Sequence, residues 1–174
     1  MREHLQRLLR DRKLMGVFCR RSNVGSFLAG YLVGLYDEYA LFLCFDPYGQ
    51  FDGYCFKRIE NIFRAVTDSQ YLQALEKLIE KREITDPFGG AEVTLKDVFS
   101  RLAKEKILCS VELFDDADTM TYGFITEVSD DGIVMREIDR DGKNDGAVCF
   151  LPQDVTTVCF DSRDEKKRRS LMSE

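Results

Sequence analysis

Three sets of side chains in this sequence are able to do chemistry: six cysteines, one histidine and several tight groups of aspartates. The cysteines, at 19, 44, 55, 109, 149 and 159, show no CxxC pairing and sit inside apolar segments. That pattern predicts reduced, mostly buried thiols. His4 has no cysteine near it in sequence, so neither close-paired zinc ligation nor a base beside a nucleophile is on offer. Asp115, Asp116 and Asp118 fall between two apolar stretches and read as a solvated turn. Asp46-Pro-Tyr-Gly49 leading to Asp52-Gly53, and Asp139-Arg-Asp-Gly142 leading to Asp145-Gly146, have the flavour of a calcium loop. Both lack the alternating ligands and the closing glutamate that such a loop needs. Hairpin turns are the expectation, because Asp and Gly supply the positive φ values tight turns require. The sequence therefore predicts a non-catalytic protein with no cofactor and no metal.

The same aspartates and glycines mark a repeat. Without a gap, residues 30–69 overlay 123–162, matching Gly30 with Gly123, Asp37 with Asp130, Asp46 with Asp139 and Gly49 with Gly142. Asp52-Gly53 falls on Asp145-Gly146, and Asp68-Ser69 on Asp161-Ser162. Identity concentrated on turn residues indicates a repeated fold. An amphipathic helix over 2–13 precedes the first copy, and Thr94 caps its counterpart, with Leu5, Leu9 and Lys13 aligned on Val98, Leu102 and Lys106. Five short strands are expected in each copy, then a helix from Gln70 to about Lys81, and a frayed helix or solvated tail from Asp161. The expected organisation is a module over 1–83, a linker over 84–93 containing Asp86-Pro-Phe-Gly-Gly90, and a module over 94–174.

With 44% hydrophobic and 32% charged residues, the chain has the composition of a soluble globular protein. Its charged opening and short apolar runs argue against a signal peptide or a membrane span, so a cytoplasmic location is expected. The net charge of −6 is uneven: 13 basic and 10 acidic residues up to Arg82 give +3, and 12 and 21 beyond give −9. An acidic second half disfavours a protein devoted wholly to nucleic acid, and opposite charges favour contact between unlike modules.

A helix followed by five bent strands, with a very short fourth-to-fifth connection, resembles the Sm-like (LSm) fold, an SH3-like barrel. The residues that carry the resemblance are Phe27-Leu-Ala-Gly30-Tyr-Leu-Val-Gly-Leu-Tyr-Asp37 and the apolar strand after it, with a looser match through Tyr122-Gly123-Phe124-Ile125 and Asp130. Leu41 and Lys57-Arg58 stand where RNA-binding members carry an asparagine and an Arg-Gly pair. The resemblance implies a mainly β, α+β chain of two tandem five-stranded barrels, each led by a helix. It also implies assembly into homo-oligomers or onto protein partners by strand pairing at barrel edges, within or between chains. Cys55, Phe56, Ile62 and Phe63 are the expected edge residues of the first module. RNA is the alternative partner, through Arg7, Arg10, Lys13, Arg20, Arg21 and a stacking Tyr39; neither DNA nor membrane is expected.

Overall fold

The computed structural model describes residues 1–21, 23–90 and 92–172, so Ala91 of the expected linker and the last two residues of the tail lie outside the described residues. The chain divides into two compact units, Met1–Glu92 and Val93–Glu174. It is mainly β, with antiparallel strands and, among the described residues, four α-helices.

In the first unit, helix α1 (Arg2–Asp11) buries Leu5 and Leu8 and stops where Arg12 turns left-handed. Strands β1 (Leu14–Phe18), β2 (Leu28–Leu35), β3 (Tyr39–Phe45), β4 (Phe51–Arg58) and β5 (Arg64–Thr67) follow, in the spatial order β5-β1-β2-β3-β4. Every residue of β1 and β3 is buried, which matches their continuous apolar sequences. Ser69 caps helix α2 (Gln70–Leu78), its hydroxyl accepting from the Leu72 N–H at 3.2 Å. The helix ends earlier than its apolar period suggests, because Ile79 takes extended backbone and packs with Ile84 against a cluster of Leu14, Tyr31, Leu43, Leu72 and Leu75. Beyond it, the Asp86 carboxylate accepts from the Tyr36 hydroxyl at 2.8 Å and from the Phe88 and Gly90 N–H groups. Phe88 meets Phe56 edge-on at 5.4 Å.

The second unit has helix α3 (Leu95–Lys104), strands β6 (Leu108–Leu113), β7 (Thr121–Val128), β8 (Ile133–Ile138), β9 (Asn144–Phe150) and β10 (Val155–Phe160), and helix α4 (Arg163–Leu171). Its strands run β10-β6-β7-β8-β9, the same order as in the first unit. The likeness extends to irregularities. Register slips between Leu32 and Gly34 and between Leu43 and Phe45 recur between Ile125 and Glu127 and between Arg136 and Ile138. The leading helices are related differently from the gapless overlay. Left-handed residues end the helical stretch at Arg12 and at Lys106, and Gly30 faces Met15 where Gly123 faces Cys109. The buried Leu5 and Leu8 therefore correspond to Phe99 and Leu102, one residue beyond Val98.

Four cysteines are free thiols, with Cys19, Cys44 and Cys109 buried and Cys149 exposed. Cys55 and Cys159 are each disulfide-bonded, which corrects the expectation of reduced thiols at those two positions.

Candidate functional site

Each unit ends in two terminal strands, and the ends differ in character. Strand β5 pairs with β1 alone and β9 with β8 alone among the described residues. Each therefore carries a row of backbone N–H and C=O groups on its outer side. β9 is exposed along most of its length, with only Val148 half-buried and Phe150 buried. β5 exposes Arg64 and leaves Ala65, Val66 and Thr67 half-buried. Their repeat counterparts β10 and β4 are largely buried. β9 opens with Asn144 and Asp145, while Arg64 opens β5, with its guanidinium 4.8 Å from the Phe18 ring centroid. The two exposed edges thus present opposite charges.

The residues expected at an edge of the first unit fall in two places, Cys55 and Phe56 within β4 and Ile62 and Phe63 just before β5. Cys55 and Phe56 are in β4 at 2% and 1% exposure, Ile62 is buried, and Phe63 donates its N–H to the Phe18 carbonyl at 3.1 Å. Sequence reasoning expects this strand from Ala147 to Leu151 but not its earlier start at Asn144 or its exposure, which arises from tertiary context. The signal available was Asn144, which stands where its counterpart strand opens on Phe51.

The residues expected to touch RNA differ in exposure and partners. Arg7 and Arg10 are exposed on α1, and Lys13 holds Asp68 at 2.8 Å. That contact raises the Lys13 ammonium pKa and lowers that of the Asp68 carboxyl, through their hydrogen bond first. Arg20 is half-buried, and Arg21 lies 5.4 Å from the Phe63 ring. Tyr39 is 3% exposed and accepts from Arg58 at 2.9 Å, so no face of its ring is open to a base.

The aspartate groups serve turns. Asp46 Oδ1 accepts from the Tyr48 and Gln50 N–H groups, and Asp139 Oδ1 from those of Asp141 and Lys143. Asp116 accepts from Asp118 N–H, and the Asp115 N–H donates to Thr156 Oγ1 at 3.0 Å. Among the described residues no group of three or more His, Cys, Asp or Glu side chains could hold a metal ion, and no helix is long and apolar enough to cross a membrane.

One buried carboxylate stands out. Glu165, 3% exposed, accepts from Ser110 Oγ at 2.7 Å and from the Ser162 N–H at 2.8 Å, closing a capping box on α4. Burial raises its pKa, against the opposing effect of the Ser162 and Ser110 hydrogen bonds. The folded state holds this proton to higher pH than the unfolded chain. Its contribution is complete below the ordinary glutamate range and is lost as pH rises through the raised folded value. Glu165→Gln is expected to keep both contacts, to match or exceed wild-type stability at pH 7, and to flatten that slope in urea titrations across the window. Glu165→Ala removes the cap and strands the Ser110 hydroxyl, at a cost of about 2 kcal/mol. A Gln variant retaining the full slope would assign it to another group.

Comparison with protein-family models, curated proteins and solved structures finds no match for this chain.

Proposed function

We propose that the chain is a pair of tandem Sm-like, SH3-like barrels acting as a non-catalytic assembly module, and that copies join head to tail by pairing β9 of one with β5 of the next. The observation that carries the reading is the pair of one-sided strands, β5 in one unit and β9 in the other, in units with the same strand order. A fourth-type strand meeting a fifth-type strand is a heterologous contact. Repeated by a rotation that closes, it makes a ring. Opposite charges at Arg64 and Asp145, and the +3 and −9 halves, set its direction and speed its formation. Satisfied backbone groups supply affinity, as in other strand additions.

Proline scanning of β9 tests this directly. Successive N–H groups along a strand point alternately to its two sides, so of Ala147 and Val148 one directs its N–H away from β8. Proline is tolerated where the lost N–H faces outward and damages the ladder where it faces inward. One of Ala147→Pro and Val148→Pro is therefore expected to fold with wild-type melting and to dissociate the assembly. If the well-folded variant assembles as wild type does, strand addition at β9 is wrong.

A further inference from the structure

The repeat offset exposes a divergence on the second unit that concerns neither open edge. In the first unit Tyr31, Leu43, Leu72 and Leu75 fill the space under α2, and the Tyr31 hydroxyl donates to Glu76 at 3.2 Å. The equivalent positions in the second unit are Phe124, Arg136, Glu165 and Arg168, with Arg169 in place of Glu76. Arg136 and Arg169 hold their guanidinium carbons 5.1 Å and 5.2 Å from the Phe124 ring centroid, and Arg168 lies 3.6 Å from that of Tyr122. Arg169 also donates to the Lys106 main-chain oxygen at 3.5 Å.

The result is a hollow of 840 Å³ lined by Lys106, Phe124, Arg136, Arg169 and their neighbours on β7 and α4. Among the described residues no carboxylate lines it, although this unit carries most of the chain's negative charge. Among the described residues none of Lys106, Arg136 and Arg169 forms an ion pair. Asp161 and Glu165 line an adjoining hollow with Lys106 and Arg169, where Asp161 pairs with Lys166 and Glu165 is held by Ser110 and Ser162, and Glu105 pairs with Arg101. Two guanidinium groups that share one ring lie within roughly a Debye length of each other at 0.1 M salt, ~10 Å, and repel. Stacking on Phe124 nevertheless holds them in place, which prepares two planar forks for a phosphate before it arrives. The volume falls in the range of small-molecule sites, larger than one inorganic phosphate requires.

We infer that this hollow binds a small polyphosphorylated molecule, of the nucleoside polyphosphate class, through Lys106, Arg136 and Arg169. Calorimetric titration of the full chain at low salt, with ATP and separately with tripolyphosphate, tests it. Wild type is expected to bind, with affinity falling steeply as salt is added. Arg136→Gln and Arg169→Gln should each weaken binding by about tenfold or more, in the range of a lost charge-assisted contact. Lys143→Gln, an exposed cation outside the hollow, should leave it unchanged. Equal affinity for both ligands supports recognition by the phosphate chain alone; tighter ATP binding supports an added nucleoside contact. If the glutamine variants unfold, a rise in wild-type melting temperature with ATP and retained binding by Arg136→Lys carry the test. Absence of binding by wild type to either ligand, or equal weakening by Lys143→Gln, overturns the inference.

Discussion

Gly30→Ala is expected to destabilise the first unit by about 3 kcal/mol and Gly123→Ala the second by a similar amount, each lowering the corresponding melting transition by roughly 10–20 °C. A Cβ built on Gly30 lies 2.5 Å from the Leu43 carbonyl oxygen and 3.2 Å from its carbon. One on Gly123 meets the Arg136 carbonyl oxygen, the repeat equivalent of that atom. These are main-chain atoms of the neighbouring strand, so no rotamer change relieves the overlap, and β2 must move off β3, or β7 off β8. Both strand pairs carry a register slip within a few residues of the glycine, at Leu32/Gly34 and Ile125/Glu127. The close approach and the slip together set the local bend and twist of the strands. Shifts of a degree or two in thermal denaturation would mean that the strands separate at little cost, and that the glycines have another role.

The second large effect is expected at Gly142, where φ is 79° and an added Cβ would lie 2.7 Å from Leu171 carbon and Met172 nitrogen. Gly49 stands in the same relation to Leu78, with φ 78° and a distance of 2.6 Å to that residue's carbonyl carbon. In both units the Asp-x-x-Gly turn between the third and fourth strands is wedged against the last turn of the closing helix. Gly142→Ala therefore adds a steric overlap to the cost of a left-handed alanine, for about 3 kcal/mol in total. Gly146→Ala is the control. Its φ is 97°, but nothing lies within 4 Å of the added atom, so only the backbone cost of about 1–2 kcal/mol applies. Urea denaturation should rank Gly142→Ala well below Gly146→Ala. Equal losses would mean that the turn does not hold α4 in place.

Much of this was legible because turn chemistry is local. Gly30 and Gly123, the Asp46 and Asp139 carboxylates and the caps Thr94, Ser69 and Ser162 act through neighbours in sequence or through backbone sterics, and their spacing carried the repeat and the strand order's elements. Features set by tertiary context were not legible. The one-residue displacement of the leading helices depends on left-handed backbone at Arg12 and Lys106, which are residue types with no preference for it. Tyr39 looked available to stack on a base, yet it is buried against Arg58. Cys55 and Phe56 read as an edge because they lie on the fourth strand, whereas the exposed fourth-type strand is β9. The cationic hollow was masked by net charge, since Arg136 and Arg169 sit in the acidic half of the chain. Setting Leu43 and Glu76 against them at the repeat offset was the signal that could have found it.

The assembly proposal stands or falls on mass in solution. Light scattering coupled to size-exclusion chromatography of the wild-type protein, over a range of concentrations, reads it without a variant. The head-to-tail pairing of β9 with β5 predicts a single closed species at a fixed multiple of the 20.1 kDa chain, weakened by added salt. A 20.1 kDa monomer at every concentration and at low salt would contradict it.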